Sequence, residues 1–181
     1  MLSHRMKQEM SDMIFIQETK CSIQKIRLIH SKWLIRYEFL EVKVEKTTWG
    51  ILTLWNPQRI SIMDAEASRN YVSMVIQPVG VSETILVTNV YGPKKLEDKL
   101  ILLEALSDLR SRQNGMPWIL GRDFNMIKSL LEKKGGTRVL NKDSLTFQSF
   151  SVNMNLVESD SSKGLFTWNN KRGGECWYHL S

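Results

Sequence analysis

Only two cysteines, Cys21 and Cys176, occur in the 181 residues, too few for a disulfide framework. The three histidines, His4, His30 and His179, are scattered and fit no zinc-ligand spacing. No apolar run reaches the roughly 20 residues that a membrane-spanning helix needs. The opening "MLSHRMKQEM" has no apolar core for a secretory signal. Repeats and low-complexity linkers are also lacking. These absences leave a soluble, intracellular chain, with nuclear delivery compatible. What is present is ordinary for a globular protein: 42% hydrophobic and 24% charged residues, enough to bury a core in one domain spanning residues 1–181. The 25 basic residues outnumber the 19 acidic ones, for a net charge of +6. That balance admits a polyanionic partner such as nucleic acid, and it equally describes many basic domains that bind none.

Strand-like and helix-like stretches alternate along the chain. "MIFIQE" (Met13–Glu18) is a short apolar run that ends polar and reads as a strand. "SIQKIRLIHSKW" carries Ile23, Ile26 and Leu28 in a loose helical pattern. "GILTLW" (Gly50–Trp55) stops at Asn56-Pro57, "YVSMVIQ" (Tyr71–Gln77) stops before Pro78, and "TILVTNVYG" (Thr84–Gly92) stops at Gly92-Pro93. These three runs predict an antiparallel meander. "LEDKLILLEALSDLRSR" places Leu102, Ala105, Leu106 and Leu109 on one helical face and is ended by Asn114-Gly115. "PWILG" predicts a short buried strand. "NKDSLTFQSFSVNMN" predicts a helix capped by Asn141 or Asp143, with Leu145, Phe150 and Met154 facing inward. "GLFTWNN" predicts a last strand. Strands interleaved with helices indicate a layered domain mixing both.

The chemistry-bearing residues collect at strand ends. In "WILGRDFN", residues two apart share a face if the chain stays extended, so Asp123 and Asn125 would point together and Phe124 would point into packing. A carboxylate and an amide suit a hard cation or a phosphate. Asp and Asn are equally the commonest turn formers, so the same letters also read as a turn after a strand. Glu18 ends "FIQE", as a solvated strand end or a metal ligand. Asn89 and Tyr91 end "TNVY", as amphipathic strand residues or site groups. Thr167, Asn169 and Asn170 end "LFTWNN". Residues that terminate neighbouring strands on one rim would converge as a divalent-metal and phosphate site.

The series "IFIQETK", "WGILTLW", "TNVYGP", "PWILGRDFN" and "FTWNN" resembles the endonuclease/exonuclease/phosphatase superfamily. Within it, the chain is similar to the branch carried by LINE-type non-LTR retroelements. The resemblance spans about residues 12 to 170. It implies an α+β (α/β) four-layer sandwich, two mainly antiparallel sheets flanked by helices. It also implies a phosphodiester hydrolase that uses magnesium, with manganese as its substitute, and acts on DNA. Glu18 would ligate the metal, Asp123 would orient or activate the attacking water, and Asn125 would hold the phosphate. Tyr91 would contact the phosphate or support the transition state. Thr167, Lys20, Asn89 and Asn169 would lie along the nucleic-acid strand. Magnesium neutralises phosphate charge, and hydrogen-bond donors stabilise the charge that develops in the transition state.

Departures from the family pattern set further expectations. A first strand of the type "WN.RG", bearing a metal-site Asn, is not found before "FIQET". The usual glycine pair before "DFN" is Gly121-Arg122. The tail "KRGGECWYHLS" has no Asp, and His179 stands in no matching motif. The chain therefore reads as a partial domain lacking its first and last strands, without the His–Asp pair of general acid–base catalysis, and inactive as a fragment. The other readings are a non-catalytic remnant binding nucleic acid or another partner, and an inositol-phosphate or lipid phosphatase of the same fold. No membrane and no small-molecule cofactor is expected.

Overall fold

The computed structural model describes residues 11–19, 22–43, 50–126, 133–134, 142–157, 168–169 and 177–178. The chain divides into two compact units, one formed by Met1–Tyr91 and Gly115–Gly121, the other by Gly92–Asn114 and Arg122–Ser181.

The first unit contains a three-stranded antiparallel sheet. Strand β1 (Met13–Ile16) and strand β2 (Glu38–Lys43) flank the central β3 (Gly50–Trp55), with Phe15 opposite Thr53 and Leu40 opposite the same residue from the other side. Every residue of β3 is buried, as a central strand covered on both faces requires. A second sheet runs in the order β4 (Ile60–Ala67), β5 (Tyr71–Pro78), β6 (Ile85–Tyr91), β7 (Trp118–Asp123). The β4–β5 ladder shifts register between Ile62 and Asp64. The last two residues of β7 belong to the second unit.

Side-chain alternation explains the layering. Met13 and Phe15 of β1, Ile51 and Trp55 of β3, Val72, Met74 and Ile76 of β5, and Val87 and Tyr91 of β6 form one core between the two sheets. Ile14 and Ile16 point the other way, with Leu52 and Leu54, and pack against Ile26 of helix α1 (Ile23–Trp33). Ser22 caps that helix by accepting the Lys25 amide hydrogen. Gly121 packs directly against Phe15 of β1, since a Cβ there would run into the Phe15 ring.

The second unit holds helix α2 (Leu96–Arg112), helix α3 (Lys142–Asn153) and a small sheet of dipeptide strands in the order β8 (Lys133–Lys134), β10 (Trp177–Tyr178), β9 (Trp168–Asn169). Phe124 is fully buried in an aromatic cluster, 4.7 Å from Phe147 and 6.2 Å from Phe150 between ring centroids.

Several expectations need correction. Gly50–Trp55 does not join the Tyr71–Gln77 and Thr84–Gly92 runs in a meander; it is the centre of the other sheet, and β4 is the strand that precedes β5. β7 is not a buried strand, because it lies at a sheet edge with Ile119 exposed. In α1, Leu28 is exposed and Ile26 alone of the three apolar residues is buried. In α2 the buried face is Leu102, Leu103, Leu106 and Leu109, with Ala105 only half-buried. In α3, Phe147 and Phe150 face inward while Leu145 is exposed, and Asp143 lies within the first turn. The "MIFIQE" strand ends at Ile16, two residues short.

Candidate functional site

Two sets of polar residues stand at strand ends, one in each unit. In the first, β1 alternation sends Gln17 to the same side as Met13 and Phe15, between the sheets. Its Nε2 donates to Asn89 Oδ1 at 2.6 Å. Continued alternation would send Glu18 toward α1. Glu18 instead adopts φ 53°, a left-handed conformation that costs a non-glycine residue about 1 kcal/mol or more. The Thr19 amide then donates to the Gly50 carbonyl. This reversal brings the carboxylate inward, where Tyr91 Oη donates to Glu18 Oε1 at 2.6 Å. Tyr91 is buried and Glu18 is half-buried.

Asn89 is fully buried, with its amide donating to the Leu52 carbonyl and to Thr53 Oγ1. Sequence reasoning placed Asn89 along a nucleic-acid strand; its polar atoms are instead directed at Gln17, Leu52 and Thr53, and tie β6 to β1 and β3. A buried amide needs such partners, because each one lost costs about 1–3 kcal/mol.

In the second unit, Asp123 and Asn125 are linked through the Asn125 main chain, and the backbone there does not stay extended. Asn125 has φ 52°, and its amide hydrogen goes to Asp123 Oδ1 at 3.0 Å. This is an Asx-type turn, the turn geometry available to the same letters. Phe124, as expected, points into packing. Asn125 Nδ2 donates to the Gly92 carbonyl at 2.7 Å, and the Gly92 amide donates to the Asp123 carbonyl. Only glycine fits at position 92, since a Cβ would collide with the Phe124 carbonyl. That close backbone approach is the physical content of "YGP" next to "DFN".

Behind the turn lies a group the sequence reading passed over. Lys99 of α2 is 5% exposed. Its Nζ donates to Asp143 Oδ2 at 2.8 Å and to the Asn125 carbonyl at 3.1 Å. The signal was readable: Lys99 sits three, four and seven residues before Leu102, Leu103 and Leu106, on the apolar face of its helix. A cation there requires a partner.

Thr167 and Lys20 lie outside the described residues, and Asn169 falls in β9. His30 donates Nε2–H to the Tyr37 carbonyl. Among the described residues, no three His, Cys, Asp or Glu side chains cluster. A hard divalent cation fits a set with one carboxylate, Glu18, when waters and substrate phosphate oxygens complete its shell. No helix among the described residues is long and apolar enough to cross a membrane.

No protein-family model matches the sequence, and no curated protein matches it. Solved structures do match. The endonuclease domain of TRAS1, a telomere-specific non-LTR retrotransposon, superimposes with a TM-score of 0.70 at 13% identity, covering 99% of this chain and 74% of that one. A mannosyl-6-phosphatase from Bacteroides thetaiotaomicron gives 0.60 at 15% identity, over 83% of this chain and 61% of that one. An endonuclease/exonuclease/phosphatase family protein from the same species gives 0.58 at 11% identity, over 68% and 53%. The chain thus spans between half and two thirds of the two bacterial proteins. It has the endonuclease/exonuclease/phosphatase fold, an α+β sandwich whose solved examples include nucleases and phosphatases.

Proposed function

We propose that this chain is a retroelement-derived endonuclease-type domain whose ancestral chemistry is magnesium-dependent hydrolysis of DNA phosphodiesters, and that the 181-residue polypeptide binds DNA but cleaves it slowly. The observation that carries the reading is the Tyr91–Glu18 hydrogen bond. A left-handed backbone and a buried tyrosine are used to hold one carboxylate in place, and strain of that kind gathers at functional sites. Within the second unit, the Asp123–Asn125 turn carries a carboxylate that can accept a proton from water and an amide that can donate to a phosphoryl oxygen. The retrotransposon domain aligns over more of the chain, and more closely, than the phosphatase does, which favours DNA over a phosphate monoester.

A divalent cation, when bound, would neutralise charge on the phosphodiester. Glu18 would hold it, with Tyr91 Oη fixing the carboxylate rotamer. Asp123 would orient the attacking water and take its proton, and Asn125 would donate to a non-bridging oxygen. Slow cleavage follows from the groups at hand. Glu18 is the carboxylate assigned to the metal, so affinity without substrate is low. Among the described residues the one histidine, His30, is engaged at Tyr37, and a well-placed general acid or base contributes about 10²- to 10⁴-fold. Exposed Lys94 and Lys95 would meet phosphates, in a binding mode that weakens as salt rises.

The test is nicking of supercoiled plasmid with magnesium by the chain and by its Glu18→Ala and Asp123→Ala variants, alongside phosphate release from a sugar phosphate. DNA binding with nicking near background supports the proposal. Robust nicking that both variants lose would make the chain a competent nuclease. Phosphate release without DNA binding would move it to the phosphatases.

A further inference from the structure

We propose that Lys99 is a positioning residue for the Asp123–Asn125 turn; its functional meaning rests on the reading above, but its physical effect does not. The ammonium is 5% exposed and makes two contacts, the Asp143 carboxylate and the Asn125 main-chain carbonyl. Asp143 satisfies the charge. The second contact falls on the one residue of the turn with positive φ. A left-handed asparagine has extended alternatives of lower backbone energy. Pulling its carbonyl toward a buried cation selects the left-handed form. That form aims the Asn125 amide hydrogen at Asp123 Oδ1 and its side-chain amide at Gly92. On the other side of the turn, Phe124 is clamped by Phe147 and Phe150. Lys99 and Phe124 therefore hold the turn from main chain and side chain respectively. Asp143 and both phenylalanines come from α3, so this helix supports the turn twice.

The pair also explains why a lysine is kept on an apolar face. An ion pair buried this deeply gains little stability over an apolar pair of similar volume. Its distinctive contribution is an N–H donor directed at the Asn125 carbonyl, which no apolar side chain can supply.

The experiment compares three chains: wild type, Asp143→Asn, and Lys99→Met with Asp143→Asn. The double substitution avoids stranding a buried carboxylate and so preserves folding. Two readouts are used, amide hydrogen exchange at Gly92 and Asn125 and the NMR position of the Asn125 side-chain amide. Neither requires catalysis, so failure of the nuclease reading leaves them intact. In the double variant the two turn amides exchange about tenfold faster, while β5 and β6 amides stay within about twofold. The Asn125 side-chain signals move toward those of a solvated amide. Asp143→Asn alone keeps the Lys99–Asn125 contact but removes the counter-charge of a buried ammonium, so its exchange rises alike in the turn and the strands, without the turn-specific acceleration of the double variant. Unchanged exchange at the turn in the double variant would overturn the proposal. So would equal acceleration in the turn and the strands of that double variant, because it would make Lys99 a general stabiliser.

Discussion

Glu18 follows β1 and Asp123 closes β7, and each meets its partner through a residue with positive φ, Glu18 itself and Asn125. The supports behind them differ. Glu18 is held by neutral groups: a buried tyrosine hydroxyl, and a Gln17–Asn89–Thr53 chain that ties strands distant in sequence. Asp123 and Asn125 are held by a buried ion pair, an aromatic clamp and a glycine that lets two backbones touch. The first arrangement is part of the sandwich core, so damage to it should spread through the unit. The second is a local turn with its own fixings, so damage should be separable from the strands.

Four substitutions sharpen that contrast. Asn89→Leu should have the largest effect, because it strands the Leu52 carbonyl and Thr53 and crowds the space between the sheets. We expect a loss of about 3–4 kcal/mol in chemical denaturation. Lys99→Met alone leaves Asp143 unpaired and should cost about 3 kcal/mol, most of it recovered by adding Asp143→Asn; full cost in the double variant would break the claim that the turn is separable. Gly92→Ala forces the Phe124 backbone away and should cost about 2 kcal/mol, with hydrogen exchange at Asn125 rising before any change in β5. Tyr91→Phe keeps the ring packed and removes one hydrogen bond to a charged group, about 1–2 kcal/mol. Its sharper readout is a weakened response to magnesium at nearly unchanged stability.

The contrast also explains which features were readable in advance. β1, β3, β5, β6 and α2 carry dense apolar patterns ended by turn residues, so their existence was legible. β2 and β4 were not, because "EFLEVK" and "ISIMDAEA" interleave charges on sheet edges. Without them, β3 seemed to neighbour β5, and the meander followed. Strand pairing here is non-local, as in Ile16 opposite Leu52, and no turn chemistry announces it. The letters of the candidate site were legible, but their geometry was less so. Alternation predicts neither the left-handed Glu18 nor the left-handed Asn125, since both depart from extended backbone. Asn89 looked like a site residue because its burial depends on the approach of a second sheet. Phe147 was overlooked in favour of Leu145 because the loose α3 pattern fits either face.

The most direct test of the account is duplex-DNA binding by fluorescence anisotropy, with magnesium and with chelator, for the wild type, Glu18→Gln and Asp123→Asn. The account predicts that magnesium tightens binding by the wild type, that Glu18→Gln abolishes this gain, and that Asp123→Asn keeps it. All three should weaken with salt in the same way. Identical binding by the three proteins, with magnesium and without, would contradict the assignment of Glu18 as the metal-holding carboxylate.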